Sequence, residues 1–401
     1  MSSGAFGAVA LVFAVSGFTM AQALSRVPAL RDQVGASQGE LGLALVGGGL
    51  GALLAMAHTA RLVDRWGSRA VTAVALVLAC AGWGSLWLAP DVWALGVMLL
   101  LAGGPVGVWD VAMNIQGHRV EQLRKRSLMP YLHAAFSAGA VVGAGLGALT
   151  AWRGVGTVQL PVLALVGLVA GVAAVRAFVP DAPVVPGVGV TDDTAPDAAR
   201  DHAPAAGARP RHGVTRLEVL IGVVCLGAAL AEGAANDWLA LLLVDVRGAP
   251  ESFGALVFMA FNVTMLTGRL LGGRAIERWG RDRVVRTGGV LAGAGILLVT
   301  LVPQLGVAIV GGLLWGLGVS TVFPAAMSAA GEVPGRGGKA IAVVSTIAYG
   351  AFLFGAPMIG LLAEQFGLDR ALWLVVGFLV LMIALAGNLS VRSERQVVRI
   401  Q

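Results

Sequence analysis

Apolar residues run along this chain in blocks of roughly 20, separated by short polar stretches. The runs are continuous, not alternating, which excludes a membrane β-barrel. A helix needs about 20 apolar residues to cross a bilayer. On that measure twelve helical spans are expected, at 5–24, 40–60, 70–89, 92–117, 131–151, 157–178, 217–244, 252–274, 284–302, 305–328, 340–364 and 370–390. The first begins almost at the N-terminus without a basic lead-in, so it is expected to stay as a membrane helix. One connection is long. Residues 179–216 carry Pro180, Pro183, Pro186, Pro196, Pro204 and Pro210 and no apolar periodicity. They read as a flexible cytoplasmic linker between units 1–178 and 217–391, with 392–401 as a cytoplasmic tail.

Composition narrows the class. Of 401 residues, 57% are apolar and 12% charged, about half the roughly 25% charge of soluble domains. Mean hydropathy is +0.83. A soluble domain and a disordered chain are both excluded. Cys80 and Cys225 sit inside apolar runs and read as inert buried thiols. The net charge of +6 does not indicate nucleic acid, because the basic residues lie in short clusters between spans. Such clusters orient membrane proteins. With the N-terminus inside, inside segments hold 22 of the 28 basic residues and outside segments 5, while Arg269 lies within a span. Both termini are therefore expected in the cytoplasm. Only Lys125 and Lys339 are lysine. With the richness in Ala and Gly, this points to a GC-rich bacterial genome and to the inner membrane.

The two units repeat each other. Asp64-Arg65-Trp66-Gly67-Ser68-Arg69 after span 2 returns after span 8 as Glu277-Arg278-Trp279-Gly280-Arg281-Asp282, at an offset of 213. Gly35-Ala36-Ser37 returns as Gly248-Ala249-Pro250 at the same offset, and Gly107-Val108 with Val111 as Gly318-Val319 with Val322 at 211. A near-constant offset implies a parallel duplication of a six-helix unit.

Six spans plus six, a central linker and a repeated D-R-x-G-x-R loop resemble the major facilitator superfamily. Ala60 stands where that family usually has Gly, and Glu277 replaces Asp in the second copy. Trp109-Asp110-Val111-Ala112-Met113-Asn114 resembles a pattern of fucose-permease-like symporters. Glu232-Gly233-Ala234-Ala235-Asn236-Asp237-Trp238 is similar to the MosC-like bacterial branch. The resemblance implies an all-α membrane protein of twelve transmembrane helices in two six-helix bundles. Spans 1, 4, 7 and 10 then line a central cavity.

Intramembrane charge supplies the candidate chemistry. A carboxylate within a span costs several kcal/mol unless it is paired, hydrated or protonated. Glu232, with Asn236 one turn on, is the first candidate for a proton-coupling site. Asp110, with Asn114 one turn on, is the second. Each has the alternative of a fixed interhelical hydrogen bond. Gly103, Gly104 and Pro105 are expected to loosen the helix before Asp110. Asp237 lies about 140° round the helix from Glu232 and suggests an outer gate with Arg26; the alternative is two solvated end charges. His133 touches solute or serves in packing, the latter being the commoner role. Arg269 is read as snorkelling to the cytoplasm. Trp109, Trp238, Trp315 and Tyr349 offer flat faces to a ring or serve in packing. The loop residues Asp64, Arg65 and Arg69, with Glu277, Arg278 and Arg281, are implied by the resemblance as an inner latch. Gly139, Gly143 and Gly147, and Gly268 and Gly272, are spaced for close helix seams.

The expected whole is a monomeric carrier of a small polar solute, sugar-like or cyclitol-like, coupled to protons and embedded in lipid. No nucleic-acid partner, enzyme activity, cofactor or metal is expected. No phosphate-binding G-x-x-x-x-G-K-[ST] run occurs, and no His or Cys pair has metal-ligand spacing. Proton-linked efflux and a transport-incompetent sensor remain open. The run 139–145 lacks the proline of the Gly-Pro motif that efflux members often carry in span 5.

Overall fold

The computed structural model describes residues 4–124, 128–180, 213–334 and 336–390. Most of the 179–216 linker and the 392–401 tail lie outside the described residues. In chain order the helices are α1 (Gly4–Leu24), α2 (Val27–Val34), α3 (Gln38–Trp66), α4 (Ser68–Ser85), α5 (Val92–Arg124), α6 (Met129–Trp152), α7 (Gln159–Val175), α8 (Arg216–Ala234), α9 (Ala240–Asp245), α10 (Glu251–Trp279), α11 (Arg281–Leu301), α12 (Leu305–Val319), α13 (Val322–Gly331), α14 (Gly337–Phe366), α15 (Leu368–Ala371) and α16 (Trp373–Leu385). Among the described residues, eleven continuous stretches are long and apolar enough to cross a membrane, and Gln159–Val175 is shorter at 17 residues. No strand occurs among the described residues.

Local chemistry sets several helix ends. Ser37 caps α3 reciprocally with Glu40, and Thr215 caps α8 with Glu218, satisfying otherwise orphaned N–H groups. The turns show the duplication in the backbone itself. Gly35 and Gly248 have φ of 64° and 62°, Gly67 and Gly280 of 80° and 82°, Gly154 and Gly367 of 68° and 87°. Every pair is 213 residues apart. Left-handed backbone is cheap only for glycine, so the repeated glycines mark repeated turns. The third pair extends the repeat seen in the sequence.

Two spans are interrupted near their middles. Span 7 contains a π-turn, Ala235–Leu239, between α8 and α9. Span 10 breaks at Ser320-Thr321 between α12 and α13. Pro324, early in α13, has no N–H and its ring crowds the carbonyl four residues back, at Ser320. α5, by contrast, runs unbroken through Pro105. The expected loosening there is corrected: Gly103 and Gly107 serve close packing. A Cβ on them would lie 2.1 Å from the Gly48 carbonyl and 2.6 Å from the Ala52 carbonyl of α3.

The seams between the two halves are α6 against α10 and α3 against α14. Hydrogen bonds join the 24–38, 86–92 and 153–159 loops, and join Ser37 to Glu364, so these turns share one end of the molecule. This is the far end. The opposite end, carrying Gly4 and Arg216, is the terminal face.

Candidate functional site

A cavity of about 230 Å³ lies between the halves at mid-depth. α1 contributes Ser16 and Thr19, α5 contributes Trp109 and Asp110, and α14 contributes Tyr349 and Phe352. Asn114 follows Asp110 by one helical turn, so its amide donates to the Asp110 carbonyl at 2.8 Å and to Oδ1 at 3.3 Å. No ion pair engages Asp110 among the described residues. An acid, two hydroxyls and flat aromatic faces thus share a slot sized for a small solute.

Glu232 is placed differently. It does not line this cavity. Its Oε1 accepts from Arg269 Nη2 at 3.0 Å, and Arg269 Nη1 donates to Ser137 Oγ at 3.0 Å. The guanidinium thereby links α8 and α10 of one half to α6 of the other. The snorkelling expected of Arg269 is corrected. A cation held within the membrane gains more from a carboxylate one helix away than from reaching for water. Ser137 was missed by sequence reasoning. The signal for the pair was available, because Arg269 is an arginine lying five residues inside its span and Glu232 is on the neighbouring one.

His133, one turn before Ser137, is exposed and sets its ring edge-on to Phe13 at 5.4 Å and 79°. Asn236 and Asp237 are half-buried in the π-turn, an irregularity frequent at functional sites. Trp238 and Trp315 are fully buried, and Trp315 Nε1 donates to the Ala231 carbonyl at 3.1 Å, so both serve packing. Cys80 and Cys225 are buried free thiols.

The Arg26–Asp237 gate is not formed. Arg26, buried to 3% exposure, lies 3.3 Å from Glu251 Oε2 and donates to the Val155 carbonyl at 2.8 Å. Asp237 sits eight residues before the end of α9 at Asp245, roughly 12 Å deeper. Burial draws the Arg26 guanidinium below its ordinary pKa, and the Glu251 charge opposes that. The far end is tied instead by three acids absent from the sequence expectations. Asp245 accepts from Arg31 and Gln38, Glu251 pairs with Arg26, and Glu364 accepts from Ser37 Oγ at 2.5 Å and Gly39 N at 3.1 Å. Each joins one half to the other.

The terminal face differs. Asp64, Arg65, Arg69, Glu277 and Arg278 are exposed. Arg65 and Arg278 each stack over the following tryptophan at 5.7 Å, another echo of the repeat. Arg281 binds Glu332 through two contacts of 2.5 Å and Ser328 at 2.9 Å, all within its own half. Among the described residues these six make no ion pair across the halves. The contacts expected of them as a latch are therefore not formed among the described residues. No metal-binding cluster occurs among the described residues.

Comparison with known proteins agrees with this architecture. The family model for the Major Facilitator Superfamily matches residues 7–255 and again 221–400. The chain is 33% identical to an uncharacterized transporter, y4wD, of Sinorhizobium fredii over 94% of this chain and 95% of that one. It is 31% identical to an uncharacterized MFS-type transporter of Yersinia pestis, covering 94% and 93%. It is 26% identical to the membrane protein MosC of Rhizobium meliloti, covering 92% and 86%. Among solved structures it shares its fold with the nucleoside transporter NupG, at a TM-score of 0.73 and 12% identity over 96% of this chain and 99% of that one. A D-xylose-proton symporter gives 0.69 and 16% over 96% and 97%. Helical architecture, the doubled turns and these relatives converge: the chain belongs to the major facilitator superfamily and is a multi-pass membrane transporter, not an enzyme.

Proposed function

We propose that the chain is a monomeric proton symporter that carries a small polar solute, sugar-like or cyclitol-like, across a bacterial inner membrane by alternating access. Gln159–Val175 counts as the twelfth crossing, completing two six-helix bundles, with both termini in the cytoplasm. The observation that carries this reading is Asp110. It is a membrane carboxylate in a slot between the halves, with Asn114 beside it and no cation paired to it among the described residues. Such a group is tolerable when hydrated or protonated. Taking up a proton with solute lets the loaded slot close without trapping a bare charge. Releasing the proton on the other side resets it.

The far-end ties and the open loops of the terminal face support a form closed outside and open inside. In the opposite form the ties break, and Asp64, Arg65 and Arg69 close against Glu277, Arg278 and Arg281. Glu232, with Asn236 beside it, takes part through its ion pair with Arg269, which bridges the seam that must slide. His133 faces the same seam. The fold shared with a nucleoside transporter and a D-xylose-proton symporter supports a small hydrophilic solute.

The test is reconstitution in proteoliposomes with an internal pH-sensitive dye and a panel of monosaccharides, cyclitols and nucleosides. The wild type should give solute-dependent acidification, and Asp110→Asn should abolish it. Acidification that persists in Asp110→Asn overturns the assignment. Solute-driven proton movement in the opposite sense would mark efflux, and binding without movement a sensor.

A further inference from the structure

A second cavity, of about 460 Å³, lies away from the central slot. It is bounded by α10 and α11, which each pack on α12 and only lightly on each other. Leu271, Leu291 and Leu317 give it an apolar body, and Thr287 and Ser320 add two hydroxyls. At its terminal-face mouth stand Trp279 and Arg283, both exposed.

Its length is set by helix geometry. From Gly268 to Trp279, both lining it, the rise along α10 is about 16 Å at 1.5 Å per residue. One leaflet of a bilayer core is about 15 Å thick. The groove therefore runs the depth of one leaflet and ends in a cation and an indole where headgroups lie. Trp prefers that level. The stretch 274–286 that carries these mouth residues holds Arg274, Arg278, Arg281, Arg283 and Arg286 against Glu277 and Asp282, so its net charge is positive.

The duplication provides an internal control. The position equivalent to Arg283, 213 residues earlier, is Ala70, and that of Thr287 is Val74. Arg69 lies one residue before Ala70, about 100° round its helix. The cationic, hydroxyl-lined wall thus belongs to the C-terminal half and is not a by-product of the repeated fold.

We propose that this groove is a binding site for an anionic phospholipid, with one acyl chain between α10 and α11 and the headgroup phosphate on Arg283. Basic pockets between transmembrane helices hold anionic headgroups in this way. The proposal needs only that the chain spans a bilayer and is independent of proton coupling.

The experiment is native mass spectrometry of the full purified chain titrated with phosphatidylglycerol or phosphatidylcholine. Wild type should retain phosphatidylglycerol preferentially. Arg283→Ala should weaken phosphatidylglycerol on the order of fivefold, as expected for one basic contact, and leave phosphatidylcholine unchanged. Thr287→Trp fills the groove and should weaken both lipids. Both residues are exposed, so neither change disturbs the packed core. Arg370→Ala, at the far end, should alter neither lipid. Equal retention of the two lipids by the wild type would mean an ordinary lipid annulus and would overturn the proposal. So would wild-type phosphatidylglycerol binding in either groove variant.

Discussion

The two halves share one backbone plan and treat their intramembrane acids in opposite ways. Asp110 in the N-terminal half opens onto a slot and, among the described residues, has Asn114 as its one side-chain polar partner. Glu232 in the C-terminal half is held by Arg269, which also reaches Ser137 across the seam. The rods and turns repeat between the halves, and the intramembrane acids do not. On the proposed reading, an acid that opens onto a slot without a paired cation is the one suited to exchange a proton. A paired acid on a moving seam holds two helices and a neighbouring bundle in register. One helix plan thus holds both an acid open to a slot and an acid tied across the seam.

The largest effect should come from substituting the unpaired acid. Asp110→Asn should reduce solute-driven proton entry to the level of empty liposomes, with thermal stability unchanged within about 0.5 kcal/mol, as for sites outside packed networks. Equal loss of stability and transport would erase the distinction between the acids.

The paired acid should behave in the reverse way. Glu232→Gln or Arg269→Gln leaves one charge stranded. Breaking a fully buried pair costs about 3–5 kcal/mol. Here the partners are 27% and 20% exposed, so roughly 2 kcal/mol is expected after screening. The double variant should recover part of that loss, because no lone charge remains. Thermal melts of the four proteins complete the cycle, and simple additivity would show that the pair is incidental.

A smaller effect is expected at the far end. Asp245→Asn weakens the ties to Arg31 and Gln38, an exchange worth about 1 kcal/mol for a part-exposed pair. It should raise labelling of a thiol introduced by Asp110→Cys from the far side by about fivefold. The smallest effect sits in the repeated loops. The Arg281 hydrogen bonds hold the Glu332 carboxyl below its ordinary value. That contribution is therefore present above the ordinary glutamate pKa of about 4.3 and is lost as pH falls through the lowered value. Glu332 is half-exposed, so under about 1 kcal/mol is at stake. Arg281→Gln should flatten the acid limb of a stability–pH curve, and Arg65→Gln, whose arginine stacks on Trp66, should not.

Much of this was legible in residue order. Apolar runs of membrane length and a 213-residue echo define the helices and their doubling, since both follow from period and composition. Asp110 and Glu232 stood out because charge in oil demands a reason. What the chain order conceals is pairing. Arg269 reads as a snorkelling cation until α8 and α10 are seen side by side. Arg26 seems to face Asp237 until the rise of α9 places that acid too deep. The far-end ties depend on Asp245, Glu251 and Glu364, ordinary end charges in sequence whose value arises only when two bundles meet. The break at Ser320-Thr321 and the π-turn around Asp237 are local backbone features that hydropathy does not register.

The most direct test of the central slot is sided chemistry at Asp110. In a background with Cys80 and Cys225 replaced by alanine, Asp110→Cys would be exposed to a membrane-impermeant thiol reagent in right-side-out and inside-out vesicles. Rapid modification from the terminal face, slowed by transported solute, is the predicted result. A thiol at position 110 that reacts from neither side would contradict the account.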